Sequence, residues 1–432
     1  MPNPTGKNGH GSKAYPPDDI FRDTLLRYVQ QGLSRDEKIA ALRKDLGLSI
    51  GNDYYRRTTL NQHEKRLDIP SVRKPPPLEV ATQLVLDEVE KGGLKGIEHN
   101  GPSFIKGKLK DNGVPIPRDL VRQIMLAHYP EGFAARFPGR KLSGISRQPL
   151  SSIGPFREIS GDGHEKLGQF ALQMGDISLP IYGFKDKWPS YVLLLKVIPN
   201  CRAAGALAHL FIDLIEMYGG ISIQITTDKG SETGIMYAIQ VAIRDFCAPD
   251  LDPAVHPEHV FMKSVHNTVI EAFWKTLKEK LGLNLKEKIL QGKVEHIFNP
   301  NLPWHRDLFY WIFPPLVQEQ LDDFRNWWNQ HRIRSQKDKS MPSGHVPAHA
   351  FSVPEQYGGV DCIIPVSPAI IEELRQMVTD DVGPREEHLG WVTKEFSVLA
   401  SRVYHEVGSP KLTLETSWDV FQRMSDVLSD SE

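Results

Sequence analysis

Two short apolar runs with one helix-period segment between them constrain this 432-residue chain more than any other feature. Ser190–Ile198 (SYVLLLKVI) is too short for an ordinary helix and rich in leucine and β-branched side chains, as expected of a buried strand. Ile221–Thr226 (ISIQIT) alternates as a second strand, and Asp228 follows it, ahead of Lys229 and Gly230. Between the runs, Ala203–Tyr218 has helical periodicity and stops at Gly219-Gly220. Strand, helix and strand in this order predict a βαβ crossover with parallel strands. A carboxylate just past such a strand, with a glycine to turn the chain, points from the sheet edge into a crevice.

Two further carboxylates stand in suggestive settings. Asp162 lies in GDGHEKLG, and Glu271 lies in SVHNTVIEAFWKTL. The segment Asn267–Leu281 places Val269, Ile270, Phe273, Trp274 and Leu277 on one helical face, with Glu271 beside that stripe, able to look down on strand ends. Three carboxylates on separate elements suit hard divalent cations, which take oxygen ligands and leave room for water and phosphate. Phosphoryl transfer on a nucleic-acid backbone asks for such ions in pairs.

The order Asp162, Asp228, Glu271, carried by GDGHEKLG, TDKGSETG and SVHNTVIEAFW, resembles the DDE integrase core of retroviral integrases and cut-and-paste transposases. It is closer still to the integrase-core proteins of eukaryotic transposons and transposon-derived genes. The resemblance covers Phe156–Phe351, and the surplus spacing before Glu271 falls in a Pro-, Asp- and His-rich loop, Ala248–His259. It implies an α/β RNase H-like core with a mixed five-stranded sheet, Asp162 on the first strand, Asp228 after the fourth and Glu271 on a following helix. It also implies two Mg²⁺ or Mn²⁺ ions on these three residues, double-stranded DNA as partner, strand cleavage and strand transfer as the reaction, and a homo-oligomer.

Each residue taken singly has a plainer explanation. Asp162 between two glycines suits a turn, Asp228 suits a strand-end turn, and Glu271 suits a solvated helix carboxylate. Lys229 beside Asp228, and His266 and Asn267 upstream of Glu271, are candidate DNA contacts, Asn267 serving equally as a helix N-cap. Lys275 and Lys278 are candidate phosphate contacts or members of a solvated face. Glu232 is in place to support the Lys229 loop. Trp327 and Trp328 are adjacent, so only one of them can face a core squarely, the other packing at an interface or stacking on Arg or a base.

The charge is unevenly distributed. Net charge is −2, yet residues 1–150 hold 25 Lys and Arg against 17 Asp and Glu, and residues 351–432 hold 6 against 15. Residues 1–17 are polar and Pro/Gly-rich and read as disordered, with no apolar segment of a signal peptide. Residues 18–70 read as helix, helix opened by the capping box Ser34–Glu37, glycine turn and basic helix, a helix-turn-helix-like domain with Arg56, Arg57, Asn61, Lys65 and Arg66 facing DNA. A three-helix bundle with a solvated basic face is the alternative. Ser71–Pro77 is a linker. Residues 77–135 read as a second helical, helix-turn-helix-like domain with Lys106, Lys108, Lys110, Arg118 and Arg122 exposed; of these Lys106, Lys108, Arg118 and Arg122 are taken as DNA contacts. Residues 136–155 form a basic linker.

After the core (156–351), the acidic region 352–432 reads as a small α+β or irregular tail. Helices are expected at Ser367–Val378 and Trp418–Leu428, and strands within Trp391–Glu406; its acidity suits a protein partner or an intramolecular contact. Cys201, Cys247 and Cys362 show no pairing pattern, as for reduced intracellular thiols, and the lack of cysteine before residue 201 excludes a zinc-binding His-His-Cys-Cys amino-terminal domain. No apolar stretch is long enough for a membrane span. The expected protein is an intracellular, nuclear polynucleotidyl transferase. A catalytically silent DNA-binding or scaffolding protein on the same core, and a nuclease that cuts without joining, are the alternatives.

Overall fold

The computed structural model describes residues 15–48, 56–91, 100–129, 152–164, 173–174, 177–228, 230–262, 268–336 and 341–430. The chain divides into two compact units, Met1–Glu88 with Gly101–Pro130 and Gln330–Arg332, and Val89–Asn100 with Glu131–Asn329 and Ile333–Glu432. Among the described residues no helix is long and apolar enough to cross a membrane.

The first unit is helical. Helices α1 (Asp18–Gln30), α2 (Arg35–Leu46) and α3 (Arg56–Arg66) close over Phe21, Leu25, Tyr28, Leu42 and Leu60, all excluded from water. The capping box that opens α2 is complete: the Glu37 N–H donates to Ser34 Oγ, and the Ser34 N–H donates to Glu37 Oε2. Gly47 ends α2 at a φ of 63°, a left-handed conformation that costs a residue with a Cβ about 1 kcal/mol. Lys38 pairs with Glu64, joining α2 to α3. After the turn closed by the Ser71–Lys74 bridge come α4 (Leu78–Glu90), α5 (Pro102–Asp111) and α6 (Arg118–His128), the last two burying Ile105, Leu109, Val121, Ile124 and Met125.

Among the described residues the second unit holds nine strands: β1 (Glu158–His164), β2 (Gln173–Met174), β3 (Ile177–Ser178), β4 (Ile181–Asp186), β5 (Val192–Val197), β6 (Gly220–Ile221), β7 (Gln224–Asp228), β8 (His259–Met262) and β9 (Ile364–Pro365). Five of them form one sheet in the order β5-β4-β1-β7-β8. β1 is antiparallel to β4, and β4 to β5, whereas β7 lies parallel to β1 and β8 parallel to β7. This is the mixed five-stranded sheet of an RNase H-like core. The crossover expected from sequence is present: β5 leads through α7 (Ala204–Tyr218) to β7, with β4 and β1 lying between the two parallel strands. α7 and α8 (Gly234–Cys247) bury Leu207, Phe211, Met236, Ile239 and Ile243 against one sheet face. Arg244, on α8, has a buried guanidinium that donates to the carbonyls of Ile223, Leu251 and His256, so the loop after α8 is pinned from beneath.

Helices α9 (Thr268–Leu277), α10 (Leu283–Val294) and α11 (Pro303–Gln330) follow, α9 and α10 being joined by a π-turn, Lys278–Gly282. α11 seals the outer edge of β5. Gln318 accepts from the Val197 N–H and donates to the Leu195 carbonyl, and Asn329 accepts from the Val192 N–H and donates to the Val192 carbonyl. Side-chain amides thus replace the missing strand and keep this edge from recruiting another chain. Trp327 is buried beside Phe324, while Trp328 donates its N–H to the Ser190 carbonyl and meets Phe273 edge-on, so both tryptophans pack within the protein.

The carboxyl-terminal region comprises α12 (Pro347–Ser352), α13 (Pro368–Val382), α14 (Arg385–Leu389), α15 (Lys394–Glu406) and α16 (Ser417–Ser429), with β9 paired to β6. The strands expected within Trp391–Glu406 are instead the helix α15. Its buried positions, Ala400 and Val403, fall three residues apart, and Thr393 caps it by accepting from the Phe396 N–H. The acidic tail makes intramolecular contacts: Arg375 and Arg385 both pair with Asp213 of α7.

Asn329→Ala would strip its side-chain amide from both the N–H and the carbonyl of buried Val192. The expected loss is about 1–3 kcal/mol of stability, read as a lower denaturant midpoint at unchanged m-value.

Candidate active site

Asp162 is a strand residue. It pairs across β1 and β4 with Gly183, and its flanking glycines answer to packing on the opposite sheet face: a Cβ on Gly161 would stand 2.9 Å from the Phe184 ring, and one on Gly163 would stand 3.3 Å from Cys201. The turn explanation of Gly-Asp-Gly is therefore corrected.

The parallel register sets the second carboxylate. Ser160 of β1 pairs with Thr226 of β7, and two residues on from each along the strands stand Asp162 and Asp228. Because side chains alternate with a period of two, the pair comes off the same face at the same level, one strand apart. Glu271 belongs to α9, which packs across β1.

Trp274 joins these elements. It lies one turn after Glu271 on α9, and its indole N–H donates to Asp162 Oδ2 at 2.9 Å. The ring stacks on His164 with centroids 4.7 Å apart and planes within 11°, and it is 1% exposed. It fills the space a side chain at position 183 would take, since a Cβ on Gly183 would meet Trp274 Cη2 at 2.8 Å. The glycine opposite Asp162 is what lets the helix come this close.

The electrostatics tie the three acids together. Burial pushes the Asp162 carboxyl up to about 7, the Trp274 N–H pulls it back, the negative charges of Asp228 and Glu271 push it up further, and the Gly163 N–H lowers it. The three carboxyls therefore share one field, and their charges oppose one another. Among the described residues, no three His, Cys, Asp or Glu side chains are drawn close enough to enclose a metal ion. The donor chemistry nevertheless fits a hard divalent cation: all three side chains offer oxygen, and added positive charge would relieve the carboxylate repulsion that adds to the effect of burial on Asp162.

The other expected contacts fare differently. Lys229, His266 and Asn267 lie outside the described residues. Lys275 is exposed and reaches Glu279 at 4.0 Å, on the solvated side of α9. Lys278 is exposed, but α9 has ended by then and Lys278 opens the π-turn. In the first unit Lys65, Arg118 and Arg122 are exposed, and Asn61 is half-buried. Arg66 is exposed and paired with Asp18. Arg56 and Arg57 lie in α3, their side chains outside the described residues. Lys106 and Lys108 are half-buried rather than exposed, and Lys110 is largely buried, since α5 turns Ile105 and Leu109 inward and little of its circumference is left for solvent.

Sequence reasoning placed Trp274 on the apolar stripe and passed over His164 and Gly183. Two signals pointed to them: a tryptophan three residues after an acidic candidate shares its helical face, and a glycine inside a strand marks a close approach.

Residues 162–346 match the family model for the integrase core domain. This stretch of the chain is an integrase core on an RNase H-like fold. Solved structures similar to the chain include a Mos1 strand transfer complex, at 14% identity over 66% of this chain and 98% of that one, with a TM-score of 0.15. A Mos1 transposase paired-end complex with the left transposon end is 12% identical over 64% and 96%, also at 0.15. That likeness is too loose to place any residue. No curated protein matches the sequence.

A carboxyl that holds its proton up to about pH 7 in the folded chain, against 3.8 ordinarily, adds stability at low pH that fades as the pH rises through 7. Asp162→Asn removes that dependence. The metal-free variant is expected to match the parent near pH 4 and to exceed its Tm by a growing margin up to about pH 7, checked by thermal melts across that range.

Proposed function

We propose that this protein is a DDE-type recombinase that cleaves DNA strands and joins a 3′-hydroxyl to a phosphodiester, with Asp162, Asp228 and Glu271 as its catalytic residues. The observation that carries this reading is the placement of Asp162 and Asp228 at one level of adjacent parallel strands, inside a stretch that matches the integrase core domain. Glu271 approaches from α9 and contributes to the same field.

The three carboxylates would hold two Mg²⁺ or Mn²⁺ ions, which when bound activate the attacking oxygen, stabilise the leaving one and neutralise charge at the phosphate. The protein's own part is positional. β1 and β7 fix two carboxylates against translation, α9 brings the third, and the sheet beneath keeps their spacing rigid. Since a carboxyl ligand must be ionised, Asp162 has to release its proton on loading, so loading improves as pH rises through about 7.

The basic helices of the first unit supply DNA contacts in this reading, with Lys65, Arg118 and Arg122 meeting phosphates from their exposed positions. In this reading more than one copy of the chain brings two DNA ends together, and the protein works in the nucleus.

Purified protein is expected to nick supercoiled plasmid in Mg²⁺ or Mn²⁺, and Asp228→Asn is expected to fall to the level of a chelated control while binding DNA as before. Equal DNA binding with no nicking by the parent protein would instead identify a catalytically silent DNA-binding module. For the first unit, Arg122→Ala is expected to weaken binding to all DNA sequences alike and to reduce the slope of log affinity against log salt by about 1, measured by fluorescence anisotropy.

A further inference from the structure

We propose that the outer face of α8 is a contact between two copies of this chain, packed antiparallel about a two-fold axis. The inference deepens the reading above, in which more than one copy brings DNA ends together, and its test needs neither metal nor catalysis.

α8 is apolar on both sides. Its inner side buries Met236, Ile239 and Ile243 in the core of the second unit. Its outer side carries Tyr237, Ala238, Val241, Ala242 and Phe246, with Phe246 74% exposed and Tyr237 41% exposed. The helix has two charged residues, Arg244 and Asp245, and the Arg244 guanidinium is turned inward onto backbone carbonyls. A surface helix normally sets charge against water on the side away from the core, whereas a helix apolar all round is covered all round. Exposed aromatic rings with few charges are also the composition found at the centre of protein interfaces. DNA does not suit this surface. From Gly230 to Met262 the sequence offers Glu232, Asp245, Asp250, Asp252 and Glu258 against the buried Arg244, and a phosphate backbone asks for the opposite sign.

The distribution of charge selects a second copy as the occupant. Asp245 stands exposed in the last turn of α8, and Asp250 and Asp252 follow it, also exposed. The first turn holds no acid and carries the positive end of the helix dipole. Glu232, just ahead of the helix, folds its carboxylate back over Gly230. Laid antiparallel against itself, α8 therefore brings Asp245 of each copy to the first turn of the other, and the two-fold repeats the attraction. Laid parallel, it would set Asp245 against Asp245. Gly234 in the first turn is exposed, with nothing within 4 Å of an added Cβ, which leaves room for the Phe246 ring of the opposite copy. Ala238 and Ala242 fall between these ends and let the two backbones approach.

Sedimentation velocity over a dilution series of the full chain, free of metal and DNA, reads the association. The parent is expected to pass from monomer to dimer as its concentration rises. Phe246→Ser removes an exposed ring and is expected to keep the parent Tm in dilute solution while weakening the dimer about tenfold. Asp245→Asn is expected to weaken it about fivefold, because two contacts with a helix end are lost together. A parallel pairing would instead tighten on that change, and a pairing elsewhere would not respond, so either result overturns the proposal. A parent that stays monomeric also overturns it, as does a Phe246→Ser protein that dimerises as tightly as the parent. Asp228→Asn is expected to dimerise like the parent. Absence of nicking by a dimeric parent therefore strikes the catalytic reading alone, and a parent that nicks DNA yet stays monomeric strikes this inference alone.

Discussion

The register between β1 and β7 is the constraint on which the rest of the second unit depends. It is a short pairing, Glu158 with Gln224 through Ser160 with Thr226, and it sits at the centre of the sheet. A slip of one residue would turn Asp228 to the opposite face, away from Asp162, and drive the apolar set of β7 off the core. Burial guards against that slip. Ile159 and Ile225 pair on the face covered by α7 and α8, so the hydrophobic core that stabilises the sheet also fixes which way the two acids point. The position of the carboxylates is thus a by-product of burying isoleucines.

The opposite face is governed by a single large side chain. Trp274 brings α9 onto β1 and β4, and its ring needs the bare backbone of Gly183 beneath it. A helix carrying a smaller residue there would leave a void, and a strand with a Cβ at position 183 would push the helix outward and Glu271 with it. Tight packing and the convergence of the three acids are one arrangement here, which is why a core tryptophan and a core glycine belong to the description of the site.

How far the sequence alone leads depends on whether local signals and tertiary contacts agree. Ser190–Ile198, the stop at Gly219 and the Ser34–Glu37 capping box are local signals that no long-range contact opposes, and each element lies where its pattern puts it. Within Trp391–Glu406 the strands expected from sequence give way to a helix, because capping at Thr393 and burial at Ala400 and Val403 set its conformation. Lys110 failed for a related reason: a charge on a short helix was assigned to solvent, yet the packing of α5 leaves its stem enclosed. The carboxylates could be picked out by their motifs, but the Trp274 to Asp162 hydrogen bond spans 112 residues, and no periodicity encodes a contact between a helix and a strand so far apart.

Asp186 shows why a raised carboxyl does not by itself mark a functional site. Burial pushes it up to about 7, as it does Asp162, and both lie on adjacent strands of one sheet. Their surroundings differ in kind. Asp186 spends both oxygens on backbone donors, Oδ2 on the Phe156 N–H and Oδ1 on the Trp188 N–H, and so clamps the chain at the start of β1 to the end of β4. Phe156 has a φ of 57°, a strained value for an aromatic residue, and the clamp is what holds it there. Of the charges acting on Asp186, Lys185 favours its ionised form and Glu158 opposes it. Asp162, by contrast, is faced by two further carboxylates, and the side chain that donates to it is a neutral indole. Two acids that burial raises alike are therefore separated by their company: donors that use up both oxygens make Asp186 a fastening of the fold, and opposing carboxylates make Asp162 a place where positive charge is wanted.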